Sequence, residues 1–178
     1  MASQKPWRDW IYCAIISVQL IGMLVLDLSA FYPAFVMESP SSPLHFLATV
    51  RDAYLVSSGD PFFAEETHAP WFQIFLYIEG LVQFPLAAYL SYKLMSSKPT
   101  SGPAELAGLV FGCVTAMGAA ACCFEVWHMG PDVLSADKKA TILYGTYLPF
   151  SIIPTLMAVD MYMRLLTRVE GSDKSKTQ

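Results

Sequence analysis

Residues 69–92, APWFQIFLYIEGLVQFPLAAYLSY, decide how the chain folds. The stretch is long enough to cross a hydrocarbon layer of about 30 Å, which takes about 20 apolar residues in a helix. Near its middle stand one carboxylate, Glu79, and one amide, Gln83. Four positions apart, they fall on one helical face, one turn above the other. Phe72, Phe75 and Leu76 extend this face toward the start, and Leu86 and Leu90 extend it beyond. Pro70 suits a first helical turn, where its missing N–H costs nothing. Pro85 lies inside the run and is expected to kink it, freeing a backbone carbonyl near Gln83. An ionised carboxylate at mid-bilayer depth costs about 2.5–3.5 kcal/mol on insertion scales unless it is protonated, paired or hydrated. Glu79 therefore marks either a functional site or a protonated hydrogen bond that glues two helices together.

Outward from this run, three others are of similar length. The first span covers about residues 10–32, WIYCAIISVQLIGMLVLDLSAFY, with Gln19 near its middle and Asp27 near its far end, and halts at Pro33. It exceeds a signal peptide's apolar region and lacks a small-residue cleavage site, so it reads as a retained helix. The third runs over about 104–127 and the fourth over about 141–163, the latter with Tyr144, Tyr147, Pro149, Phe150, Pro154 and Asp160. With 54% hydrophobic residues and a mean hydropathy of +0.43, the chain reads as one all-α integral membrane domain, a four-helix bundle. Residues 1–9 form a polar lead and 164–178 a polar tail expected to fray. The 34–69 connection is too long for a turn, and its 43–56 segment suits a short amphipathic helix lying on the bundle. Gly108 and Gly112 make a GxxxG, a pattern that lets helices approach closely within the bundle or across a homodimer.

The charge balance excludes some functions. A net charge of −4 and a pI near 5.2 argue against a nucleic-acid partner. Cys13, Cys113, Cys122 and Cys123 fall inside the spans without metal-ligand spacing, so neither a metal, another cofactor nor a disulfide framework is expected. Eight of the eleven Lys and Arg residues lie in the lead, the 93–103 loop and the tail. The positive-inside rule then puts both termini in the cytosol, which requires an even number of spans.

In that topology Asp27 and Glu79 lie toward the non-cytosolic side, Glu79 about 13 Å in from Pro70 at 1.5 Å per residue. Tyr147 enters from the same side, and Asp60 can cover the mouth. The expected walls are Phe72, Phe75 and Phe150, with Trp71 or Trp127. Two carboxylates close together in low dielectric do not both ionise. Such a pair can hold a hydrophobic amine, or give and take protons on an alkene. Plainer readings stand beside this one. Asp27 can cap a helix end, Asp60 can be an Asp-Pro turn residue, and Asp160 can pair with Arg164 four residues on. Glu125 and His128 sit at an interfacial end, where they are solvated, although His128 suits a proton relay.

LDLSAFYP around Asp27, SGDPFF around Asp60, APWFQIFLYIEGLVQFP, the CCFE that ends the third run and YGTYLPFSIIP in the fourth follow one another in family order. Together they resemble the EXPERA superfamily, in particular its four-helix, sigma-2 receptor-like branch. The resemblance implies an endoplasmic reticulum membrane bundle, often homodimeric, with a pocket open to the bilayer. It also implies that Asp27 meets cationic amines, that Asp60 holds Asp27 in place, and that Glu79 and Tyr147 line the pocket. Phe150 stands where the family has a second tyrosine. The related five-helix branch, the emopamil-binding protein, isomerises sterols with acids and a histidine; this chain has no fifth span and no histidine in spans one or two. The terminal KSKTQ looks like a dilysine retrieval signal. Two functions follow as expectations. One is an isomerase or cyclase in which Asp27, Glu79 and Asp60 handle protons while Gln19, Gln83 and the aromatic residues hold a sterol, terpenoid or polyene. The other is a non-catalytic receptor for sterols, membrane lipid or amines.

Overall fold

The computed structural model describes residues 5–37, 39–64 and 68–176. Four helices of membrane-crossing length and composition, Trp7–Phe31, Pro70–Leu94, Gly102–His128 and Ala136–Ser172, make the bundle. The first two have 25 residues each, about 37 Å at 1.5 Å per residue, enough to cross the hydrocarbon with some tilt. There is no strand among the described residues. The chain is thus an all-α bundle of four spans, as its apolar runs predict.

The first span packs mainly along the second, and the third along the fourth. The glycine pattern explains the latter pairing. Gly108 and Gly112 face the fourth span, and a Cβ on Gly112 would lie 2.7 Å from the Pro154 carbonyl oxygen. In lipid no hydrophobic force draws helices together, so close backbone approach and van der Waals contact carry the association. The stripe is therefore consumed inside the bundle, and the homodimer expectation loses the support it took from it.

The two spans with an interior proline widen rather than simply bend. Glu79–Gln83 forms a π turn in which the Phe84 N–H donates to the Glu79 carbonyl, five residues back. Leu143–Tyr147 forms a second, closed by the Leu148 N–H on the Leu143 carbonyl. Each precedes a proline by two residues, Pro85 and Pro149. Proline removes a donor and crowds the carbonyl four residues back; the wide turn relieves that crowding. The expected Pro85 kink thus takes the form of a π bulge, a feature frequent at functional sites.

Within the 34–69 connection, Phe46–Ser58 is helical, and a short turn of helix follows at Pro61–Ala64. The fourth helix does not fray after Met163. It continues to Lys176, because Arg164 and Arg168 reach back into the bundle. Arg164 binds Asp9 at 2.7 Å and Asp160 at 2.5 Å, while Arg168 binds Glu105 at 2.5 and 3.0 Å. The predicted Asp160–Arg164 pair is present, joined by Arg8 on Asp160 at 3.0 Å. These contacts bring the start of the first span and the end of the fourth to one end of the bundle, here called the basic end. The end of the KSKTQ segment lies outside the described residues.

Two apolar clusters fill the interior. One, around Ile16, Leu90, Phe111 and Met157, lies toward the basic end. The other, around Phe62, Phe72, Val126 and Ile142, closes the opposite end. Between them is a cavity.

Candidate functional site

The cavity has a volume of about 260 Å³ and takes its lining from all four spans and from Tyr54 and Phe63 of the connection. The first span reaches it through a change of pitch. After the Leu26 N–H closes on the Gly22 carbonyl, the chain tightens into a 3₁₀ turn over Asp27–Phe31. The Ser29 hydroxyl on Leu26 O (2.5 Å) and the Tyr32 hydroxyl on Leu24 O (2.6 Å) satisfy carbonyls at this end. The turn directs Asp27 toward Glu79 of the second span, so that the two carboxyl groups interact across the cavity wall. Two carboxyl groups brought together in low dielectric repel each other when both are ionised. Among the described residues, every Lys or Arg ion pair lies at the basic end. Neither Asp27 nor Glu79 forms an ion pair with Lys or Arg among these residues.

Asp60 is fully buried but stands behind the lining rather than in it. Gly59, at φ 64°, ends the connecting helix in the left-handed region, which glycine adopts without strain. Its turn delivers Asp60, whose Oδ1 accepts the Phe62 N–H at 3.0 Å. The turn-residue reading of Asp60 is therefore correct as far as it goes. Its Oδ2 also accepts the hydroxyls of Tyr54 at 2.7 Å and Tyr147 at 2.8 Å, both of which line the cavity. Burial pushes the Asp60 pKa up, and these three donors pull it only partway back. Burial beside Asp60 pushes the Tyr54 phenol up as well, so Tyr54 remains an O–H donor. Asp60 positions two phenols; it does not itself face the cavity.

A second polar chain crosses the cavity nearer the basic end. Gln83 is buried, and its Oε1 accepts the Thr115 hydroxyl at 2.7 Å. Thr115 Oγ1 in turn accepts Gln19 Nε2 at 3.5 Å. Apolar surface fills the rest. Phe72, Phe75, Leu76, Cys122 and Phe150 line the wall with Tyr147, and Gly118 leaves the Phe75 ring room to lie close to the third span.

The structure brings together Gln19, Asp27, Phe72, Phe75, Glu79, Gln83, Tyr147 and Phe150. It leaves out the two tryptophans. Trp71 packs edge-on against Phe62 and Phe72 on the outside of the aromatic cluster, and Trp127 is 61% exposed. His128 is exposed and bonded to the Phe124 carbonyl at 2.7 Å, away from the lining, as is exposed Glu125. Tyr54, Thr115 and Cys122 are lining residues that the sequence does not single out. Cys122 is a free thiol in the wall, consistent with a small core residue.

A family model described as EXPERA (EXPanded EBP superfamily) matches residues 46–161, well over half of the chain. The chain belongs to the EXPERA superfamily. The EXPERA match includes Tyr54, Asp60, Glu79, Gln83, Thr115 and Tyr147 and begins after Asp27. Comparison with curated proteins found no match. EXPERA membership and four membrane-length helices make this a multi-pass membrane protein of a sterol-related isomerase or binding class. Its apolar cavity fits a hydrophobic lipid.

Proposed function

We propose that the protein is a membrane-embedded acid–base isomerase or cyclase acting on a hydrophobic polyene, isoprenoid or sterol-like lipid. The observation that carries this reading is the Asp27–Glu79 carboxyl pair, which interacts across an aromatic-walled cavity and has no Lys or Arg ion pair among the described residues. The protonated member gives its O–H proton to an alkene carbon, and the π electrons form the new C–H bond. The carbocation left behind lies against the negative faces of Phe72, Phe75 and Phe150. The ionised member removes a proton from a neighbouring carbon, whose C–H electrons become the new double bond. The pair ends with the single proton it began with, as an isomerase requires. In a cyclase, a second alkene attacks the cation before that proton is lost. Asp60 accepts the hydroxyl protons of Tyr54 and Tyr147 and so fixes both phenols in the cavity wall.

The four-span count and the motifs around Asp27 and Asp60 support the sigma-2-like branch, and with it a second reading: a receptor for amines or sterols without turnover. An uncompensated carboxyl pair suits an ammonium group as well as it suits an alkene. The concentration of Lys and Arg at the basic end supports cytosolic termini, and the family resemblance supports an endoplasmic reticulum location. One experiment separates the two functions. Purified protein is incubated with candidate polyenes and sterols in deuterated water, and the lipids are analysed by mass spectrometry. Alkene protonation places solvent deuterium on product carbon, and Glu79→Gln suppresses the label. Absence of any turnover, together with Asp27-dependent binding of amines, would overturn catalysis and establish the receptor.

A further inference from the structure

A shallow groove lies on the outside of the bundle at the basic end, between the start of the first span and the end of the fourth. It encloses about 460 Å³ and shares no lining residue with the central cavity. Its floor is one stripe of the fourth helix. Leu156, Val159 and Met163 line it and are exposed, and spacings of three and four residues keep them on one face. Thr167 ends the stripe, about 16 Å along the axis from Leu156 at 1.5 Å per residue. The polar part of the wall is Arg8, Asp160 and Arg164, and there donors and acceptors do not balance. Asp160 takes Arg8 Nη1 on Oδ1 and Arg164 Nη2 on Oδ2. Asp9, buried behind them, takes Arg164 Nη2 on Oδ1 and the Thr100 hydroxyl on Oδ2. Every carboxylate oxygen of the two acids is thus engaged, while a guanidinium has further N–H donors to give. Arg164 Nε is buried with no hydrogen-bond partner, and the Arg8 side chain is half-exposed. Trp7 and Trp10, both exposed beside Arg8, mark the depth of this wall, since tryptophan settles at headgroup level.

We infer that this groove holds a glycerophospholipid of the leaflet at the basic end, with its phosphate between Arg8 and Arg164 and one acyl chain along Leu156, Val159 and Met163. A phosphodiester brings acceptor oxygens, which the saturated acids of this wall no longer offer, and the planar guanidinium fork matches its geometry. Arg8 is the movable partner. Its pair with Asp160 is half-exposed and therefore weak, and Asp160 keeps Arg164, so Arg8 can turn to a phosphate without stranding a buried acid. The formal charges of Arg8, Arg164, Asp9 and Asp160 cancel. Recognition is therefore of the phosphate itself at short range, whatever the rest of the headgroup carries. Free phosphate would engage the guanidinium groups but leave the apolar stripe bare, which is why the occupant is a lipid. Bound there, it staples the first span to the fourth. The inference is independent of what the central cavity binds and of whether it turns anything over.

The test offers the full chain, washed free of lipid in detergent, dioleoylphosphatidylcholine, dioleoylphosphatidylglycerol or dioleoylglycerol, and counts bound lipid by native mass spectrometry. Both phospholipids should be held about tenfold more tightly than dioleoylglycerol, the size of one hydrogen bond to a charged group. Arg8→Ala should bring both down to the dioleoylglycerol level, and Val159→Trp, which fills the stripe, should weaken them as well. Lys93 lies in the last turn of the second span, outside the groove lining, so Lys93→Ala removes the same charge and should change nothing. Equal retention of all three lipids overturns the inference. Retention of phosphatidylglycerol alone, or equal losses in Arg8→Ala and Lys93→Ala, overturns it in favour of diffuse charge attraction. Displacement of the phospholipids by inorganic phosphate makes the groove a site for the free ion instead. A lipid-free dimer that Val159→Trp dissociates makes it an interface between two copies of the chain, and the lipid site falls.

Discussion

Both ends of this bundle contain buried carboxylates, and they treat them in opposite ways. At the basic end Asp9 is wholly buried and Glu105 nearly so, and each meets a guanidinium, Arg164 for Asp9 and Arg168 for Glu105. Asp160 meets two, Arg8 and Arg164. At the cavity end Asp27 and Glu79 meet each other, and Asp60 meets phenols and a backbone amide. Paired charges of the first kind fix geometry and are silent chemically. Acids of the second kind form no ion pair with Lys or Arg among the described residues, so the same side-chain type ties the helices together at one end and lines or buttresses a cavity at the other.

The largest expected effect breaks the cavity end alone. Asp27→Asn and Glu79→Gln are close to isosteric and remove no counter-charge, so thermal unfolding in detergent should be nearly unchanged. Turnover should fall by about two to four orders of magnitude, the usual share of a positioned acid or base. The converse holds at the other end. Arg164→Met leaves Asp9 buried without its cation and should cost about 3–5 kcal/mol of stability, read as an earlier unfolding transition. Activity per folded molecule should survive, and its loss would mean that the two ends are coupled.

Smaller effects sharpen the contrast. Gly112→Ala drives a methyl into the Pro154 carbonyl, and overpacking of that kind costs about 1–3 kcal/mol without touching either set of acids. Asp60 adds a pH signature. Its folded pKa lies above the ordinary value near 3.9, so the folded chain binds the proton more tightly than the unfolded one. Its contribution is full below that ordinary value and is lost as pH rises through the folded pKa, by at most about 1.4 kcal/mol per pH unit. Asp60→Asn should remove that slope from the difference between the wild-type and variant stability curves. The smallest change is Arg8→Ala. Arg8 is half-exposed and Asp160 keeps Arg164, so about 0–1 kcal/mol is expected in an unfolding titration.

The four spans were legible because length and hydropathy alone determine a membrane helix, and Glu79 was legible because an acid stands out in such a run. The ion pairs of the basic end were legible only where they were local. Asp160 and Arg164 are one helical turn apart, whereas Asp9 and Arg164 are separated by 155 positions, and nothing in a polar lead marks one acid as buried. Thr115 was hidden for another reason. A helical threonine can satisfy itself on its own backbone, so its bond to Gln83 leaves no trace in the sequence. Trp71 misled because an aromatic residue at a span end suits both a pocket wall and an outer cluster, and only the packing of Phe62 against Phe72 separates them. The tail misled because its polarity suggested solvent, whereas its arginines point inward.

The two π turns have a consequence that is a matter of counting. A helix with such a turn contains one residue more than its regular ladder needs, and everything beyond that residue is rotated about the axis relative to everything before it. One residue is worth about 100° of rotation. Glu79 and Gln83 flank this surplus in the second span, and Tyr147 ends it in the fourth. Deleting any one residue between Glu79 and Gln83 would let a regular ladder close, yet would swing the acid or the amide about a quarter-turn out of the cavity. Substitutions at these positions alter the wall one side chain at a time. A change in residue number would re-aim half a helix at once, so the spacing of this segment is as much a determinant of the site as its composition.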